Sequence, residues 1–168
     1  MLNSIDTTAV IRDGGAVGSF PGEIHEGVAW WLGACFVTVT ATTQLAVGSD
    51  GRPATAEFFR RLCNGAINAH HHACQVTAVS GITEDAFLAY LQRHDPLPGA
   101  YVTTTSGEYG AVVVHIRLHA RDGLLLQDDT GLARIRRMIA EDRVPIPVSH
   151  SAKGTIQHLP LDAMEATA

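Results

Sequence analysis

The chain has 168 residues, 46% of them apolar and 17% charged, with a formal net charge of −5. That balance suits one globular domain and excludes a disordered chain. Basic and acidic residues are interspersed, so no clustered basic face for nucleic acid is expected, and no apolar run reaches membrane-spanning length.

The N-terminal segment MLNSIDTTAVIRD lacks both a basic leader and an apolar core, so no signal peptide is expected. Asp13-Gly14-Gly15-Ala16-Val17-Gly18 lacks the preceding strand and following lysine of a phosphate loop and reads as a flexible surface turn. Residues 22–40 place Ile24, Val28, Trp31, Leu32, Cys35, Phe36 and Val39 at helical spacing, with Pro21 in the first turn and Glu23 and Glu26 favourable to the helix dipole. A strand over Gln44 to Val47 runs into the loop Gly48-Ser49-Asp50-Gly51-Arg52-Pro53. A second amphipathic helix, Ala54 to His71, buries Phe58, Phe59, Leu62, Cys63, Ala66 and Ile67. Gln75 to Val79 is a strand, and Thr83 caps a helix through Arg93 that Pro96 and Pro98 end.

A strand from Gly99 then ends at Thr104. Ala111 to His119 is the next strand, its early residues buried on both faces and its later ones alternating as at a half-covered edge. Arg121-Asp122-Gly123 turns the chain, and a last helix spans Gly131 to Ala140 with Arg134, Arg136 and Arg137 on its wet side. From Val144 the prolines and small polar residues predict an extended tail, partly mobile. Cys35, Cys63 and Cys74 have no metal-ligand spacing, and the first two fit apolar helix faces; a reduced, cytoplasmic protein is expected.

Alternating strands and helices predict parallel β-α-β units with right-handed crossovers. The short link after Ser106 allows only a hairpin, so the last strand should be antiparallel. The expected fold is a three-layer α/β/α sandwich around a mixed sheet of about four strands, with residues 1–143 as the domain and 144–168 as the tail.

In such sheets ligands gather at the carboxyl ends of the strands. Two loops meet that description. Thr104-Thr105-Ser106-Gly107 carries hydroxyls to a glycine, where a serine either makes the turn or reacts. Gly48 to Arg52 could bring Arg52 beside Ser106, where a guanidinium suits a phosphate oxygen; otherwise Asp50 and Gly51 make a turn and Arg52 is solvated. His70-His71-His72 with Cys74 reads as a polar helix end, because adjacent helical residues point about 100° apart. His115 and His119 share one strand face and read as a surface stripe. A pairing of Ser106 with His115 or His150 is a further possibility that geometry must decide.

Gly48-Ser49-Asp50-Gly51-Arg52-Pro53-Ala54-Thr55, a helix, and then Gly99-Ala100-Tyr101-Val102-Thr103-Thr104-Thr105-Ser106 resemble the first domain of the alpha-D-phosphohexomutases, the phosphoglucomutases and phosphomannomutases. That domain carries "GxDxRxSS" and later "GGxxxTASHNP". Ile11-Arg12 is similar to the family's "YDIRG", and Glu108-Tyr109-Gly110 to its "EYNG"; together the likeness covers roughly residues 5–140. It implies that Ser106 carries a phosphoryl group to and from a hexose phosphate. It also implies Arg12 near that group, Asp50 and Arg52 bracing the loop, and Thr104 and Thr105 in phosphate binding. Gly107 and Glu108 stand where the family has His-Asn-Pro. The family's magnesium loop "DGDxDR", its sugar loop "GExSGH" and its C-terminal phosphate-binding domain have no counterpart here. On this resemblance a complete mutase does not fit in one chain, and magnesium would come only through another chain. The expected partners are a phosphorylated sugar or other small molecule and further copies of the chain, with neither nucleic acid nor membrane. The alternatives are a non-catalytic domain that binds a phosphorylated molecule or a protein, and a different enzyme on the same fold.

Overall fold

The computed structural model describes residues 4–69, 73–93, 95–146, 149 and 152–162. In chain order the elements are α1 (Thr7–Val10), β1 (Gly15–Phe20), α2 (Glu26–Thr40), β2 (Gln44–Ser49), α3 (Pro53–Ile67), β3 (Gln75–Ser80), α4 (Glu84–Gln92), β4 (Gly99–Ser106), β5 (Val112–His119), α5 (Leu132–Ala140) and β6 (Thr155–His158). Short 3-10 turns at Glu108–Gly110 and Asp128–Thr130 join the last elements.

The strands form one six-stranded mixed sheet in the order β1-β5-β4-β2-β3-β6, larger than the sheet expected. β2, β3, β4 and β6 are mutually parallel, while β5 runs antiparallel to both β4 and β1. The hairpin after Ser106 is therefore as predicted, but the chain's final strand is the parallel β6. The two extra strands lie where other structure was expected. β1 occupies the supposed flexible turn, and β6 sits within the supposed tail. Because β1 covers its outer edge, β5 is not an edge strand, and its burial alternates from Val113 to Leu118 instead of being complete at the start.

Strand alternation divides the interior in two. Leu45, Val47, Ala100, Val102, Val114, Ile116 and Leu118 face the larger core, which α2, α3 and α5 close. Ala46, Val79 and Tyr101 face the other side, where Phe87 and Leu91 of α4 pack on them. α4 packs chiefly on β2 and β4, and Val17, Val113, His115 and Arg117 are half-buried on the more open part of that face.

α2 and α3 pack backbone to backbone. A Cβ on Gly65 would fall 2.0 Å from the Trp30 carbonyl oxygen, and one on Gly33 would fall 2.3 Å from that of Leu62. This close crossing fixes where α3 starts, and α3 starts beside the serine loop. Pro21 and Glu23 precede α2 instead of opening it; the cap is His25, whose Nδ1 accepts from the Gly27 N–H. The three cysteines are buried and their thiols pushed up to about 12 by burial, as small core residues should be.

Candidate functional site

The strand order reverses at β2. The chain runs from β2 out to β3, then back past β2 to β4, and the carboxyl ends of β2 and β4 flank the point of reversal. Ligand crevices form at such points because neighbouring loops diverge to opposite faces. The loops found there are those the sequence singled out.

Gly51 makes the first loop possible. Its φ is +77°, and a Cβ would lie 2.9 Å from the Gly81 Cα, so both backbone shape and space require glycine. The turn aims Asp50 at β4. Asp50 accepts from the Thr103 hydroxyl at 2.7 Å and the Thr104 N–H at 3.3 Å, while its other oxygen accepts from the Arg52 N–H at 2.9 Å. Burial alone would push the Asp50 carboxyl up. Hydrogen bonds from the Arg52 N–H, the Thr103 hydroxyl and the Thr104 N–H, with the Thr55 hydroxyl nearby, outweigh it and hold the pKa below the ordinary carboxylate value.

Arg52 donates through Nη1 to the Thr104 carbonyl at 2.9 Å, crossing from the β2 loop to β4. The remaining guanidinium donors are in an exposed position, and its 3.9 Å approach to Asp50 is a weak ion pair. Thr104 points the other way, into the larger core, where its hydroxyl meets that of Thr55 at 3.0 Å. Thr55 lies in the first turn of α3, whose cap Arg52 supplies no side-chain hydrogen bond. Two members of this arrangement were not legible as site residues. Thr103 reads from sequence as part of a strand, and Thr55 only as a counterpart of a family serine; the unbroken threonine run at the strand end is the signal that could have found Thr103.

Ser106 is the last residue of β4, exposed, on the face of Thr104 and one pleat further out. The tight turn falls after it, at Tyr109 and Gly110, both at positive φ. Gly107 is extended and its N–H donates to the Ala111 carbonyl at 2.9 Å. Among the described residues Ser106 makes no side-chain hydrogen bond. Its pairing with His115 is not formed, because the two side chains leave opposite faces of the ladder. His115 Nε2 instead lies 3.2 Å from the Thr105 hydroxyl. Burial, with the charges of Arg117 and Arg12, holds the His115 pKa down. His150 and His70-His71-His72 lie outside the described residues.

Two expectations are corrected by the register. Gly15 is level with Arg117, and Phe20 with Val112, which pairs with Ser106. Arg12 precedes β1 and so lies at the opposite end of the ladder, with about 17 Å of strand between its end and that of Ser106. It is not brought to the serine loop. His119 is not part of a surface stripe: it is 4% exposed, beneath the turn that follows β5, and neither ring nitrogen has a hydrogen-bond partner among the described residues.

Both Asp50 oxygens are engaged by hydrogen-bond donors.

Fold and strand-end loop together define a mixed α/β domain that gathers a carboxylate, a guanidinium and the hydroxyls of Thr55, Thr103, Thr104 and Ser106 where its strand order reverses. The sequence matches no family model and no curated protein. Among solved structures the fold is similar to that of a phosphoglucomutase/phosphomannomutase family protein from Burkholderia thailandensis. That match has a TM-score of 0.67 at 17% identity and covers 92% of this chain and 33% of that one. It is also similar to a candidate phosphomannomutase from Thermus thermophilus, with a TM-score of 0.60 at 17% identity over 87% of this chain and 32% of that one. The chain thus spans about a third of the length of these proteins and shares their fold over that third. No described helix is long and apolar enough to cross a membrane.

Proposed function

We propose that this chain is a phosphohexomutase-like domain that handles a phosphorylated sugar at the Asp50–Arg52 and Thr103–Ser106 loops, with Ser106 as the hydroxyl that takes the phosphoryl group. The observation that carries the reading is the tie between the loops. Asp50 and Arg52 clamp the Thr104 backbone, two residues ahead of Ser106, and Asp50 also holds the Thr103 hydroxyl, so the strand that carries Ser106 is tied to the loop that leads into α3. Helix-start amides and a half-free guanidinium suit a phosphate there. In the step proposed, Ser106 Oγ bonds to phosphorus of a hexose bisphosphate as the bond from phosphorus to the sugar oxygen breaks. The serine proton leaves and the sugar oxygen gains one.

The domain works as an incomplete unit in a homo-oligomer or with another chain, in the cytoplasm, and any magnesium comes from that other chain. The apolar residues on the open part of the sheet face, Val17 and Val113, fit such an association. One observation favours the non-catalytic alternative: the Glu108 carboxylate two residues beyond Ser106 disfavours a dianion there.

The test is intact mass after incubation with glucose 1,6-bisphosphate and magnesium, beside Ser106→Ala. Gain of one phosphoryl group by the native chain alone is expected. A native chain that never gains mass but binds glucose 6-phosphate in a way that Arg52→Ala weakens would leave only the non-catalytic reading, and one that does neither would end both.

A further inference from the structure

Displaced from the serine loop, Arg12 has another setting. It lines a cleft of about 670 Å³ at the far end of the β1–β5–β4 ladder, together with Arg117 of β5 and Arg136 of α5. That volume lies within the usual range for small-ligand sites, roughly 300–1,000 Å³. Arginines from three separate segments line it, and the way they are held matters more than their number.

Arg136 donates through Nε to the Ile11 carbonyl at 2.9 Å, and Arg12 through Nε to the Ala9 carbonyl at 2.8 Å. Backbone thus fixes both side chains at the neck. Their Nη ends meet only exposed carboxylates: Arg12 pairs with Asp13, and Arg136 with Asp128 at 3.0 Å, and these two acids are 66% and 65% exposed. Ion pairs that open to water contribute between nothing and about 1 kcal/mol. Either carboxylate can swing out at little cost while the guanidinium stays in place. Arg117 is held by Glu84, which lies outside the cleft.

A doubly charged phosphate offers more than the carboxylates it would displace, because its tetrahedral oxygens can accept from several guanidinium forks at once. The remaining wall is not basic. Gln127 and Asp129 offer acceptors that suit hydroxyl donors. Leu125, Leu126 and Leu132 supply apolar floor. A bare anion would leave those acceptors idle; a phosphate ester with several hydroxyls would use both walls.

We infer that this cleft is a second ligand site, separate from the Ser106 loop, which binds a small polyhydroxylated phosphate ester through Arg12, Arg117 and Arg136. It stands on its own residues and does not need Ser106 to react.

The experiment titrates glucose 6-phosphate, inorganic phosphate and glucose by calorimetry and amide NMR. An Arg52→Ala background silences the other end of the sheet. Expected are shifts at the amides of residues 12–14 and 125–132, with inorganic phosphate weaker than the ester and glucose silent. Arg12→Gln or Arg136→Gln should weaken the ester at least tenfold. Arg12 is half-exposed, so Arg12→Gln decides the matter if Arg136→Gln fails to fold. An unchanged affinity in folded Arg12→Gln, shifts confined to the Ser106 end, or equal affinity for inorganic phosphate would overturn the assignment. Absence of phosphoryl transfer to Ser106 leaves it untouched.

Discussion

Asp50 is the residue on which the serine loop depends, and removing it gives a measurable test. Its carboxylate accepts three hydrogen bonds, one within its own loop and two from β4. A hydrogen bond to a charged group contributes about 1.5–3 kcal/mol, but Asp50 is only partly buried and water replaces some of what is lost. Its ion pair with Arg52, at 3.9 Å and with the arginine exposed, adds little. Asp50→Ala should therefore cost about 3 kcal/mol, which for a chain of this length lowers Tm by roughly 6–12 °C. Asp50→Asn keeps an acceptor for β4 but sets an amide N–H against the Arg52 N–H, and should cost about half as much. The pH dependence supplies a second check. The folded pKa lies below the ordinary 3.8, so the contribution is present above that value and fades as pH falls through the folded pKa. Urea unfolding of both proteins at pH 7 and at pH 3 reads the difference. A gap between wild type and Asp50→Ala below about 0.5 kcal/mol at pH 7, or one as large at pH 3, would refute the clamp.

Other perturbations test the fold around the site. Gly65→Ala gains up to about 1 kcal/mol of helix propensity, yet its Cβ would meet the Trp30 carbonyl at 2.0 Å, and backbone cannot rotate away. A net loss above about 2 kcal/mol in urea unfolding is expected, and a stabilised variant would mean that α2 and α3 are not in backbone contact. For His119, burial lowers the pKa more than the nearby Gly123 backbone and Glu84 raise it, so the folded state keeps the ring neutral. Stability should then fall as pH drops below the ordinary 6.5 towards the folded pKa, and Tm measured from pH 7 to pH 5 should decline less in His119→Phe than in wild type. Glu23→Ala should free the Ser19 N–H on the edge strand β1, which the carboxylate now accepts at 2.8 Å. Faster hydrogen exchange at Ser19, with a loss of about 1 kcal/mol, is the expected result.

The helices were legible because each carries its own evidence. Apolar residues at helical spacing and the Thr83 cap, whose hydroxyl accepts from the Ala86 N–H at 3.3 Å, are local signals that packing only had to confirm. The serine loop was legible for a related reason. A turn that demands glycine at Gly51 places Asp50 and Arg52 at a fixed offset, and a hydroxyl run ending a buried strand is the complementary half. What stayed hidden were features set by a distant neighbour. Gly15 and Gly18 made β1 look like a turn, but a Cβ on Gly15 would lie 2.0 Å from the Ile116 carbonyl oxygen. The glycine there serves close approach within a sheet, which composition cannot distinguish from flexibility. β6, Thr155–His158, has no buried residue and hence no alternation to read. His119 looked exposed because the later turn that folds back on it, through the Leu125 bridge, leaves no mark in the strand's own pattern.

Arg12 makes the same point for function. A two-residue likeness to a family motif put it beside Ser106, whereas strand register, which no local pattern records, puts it at the other end of the sheet. The clamp at Asp50 and Arg52 is different in kind, because its members are tied to β4 by hydrogen bonds across more than fifty residues of sequence. A motif whose parts must meet in space is tested by whether they do. Here Asp50, Arg52, Thr103 and Thr104 meet, Ser106 stands at the exposed end of the strand they hold, and Arg12 belongs to a separate cluster of arginines whose ligand must be sought on its own chemistry.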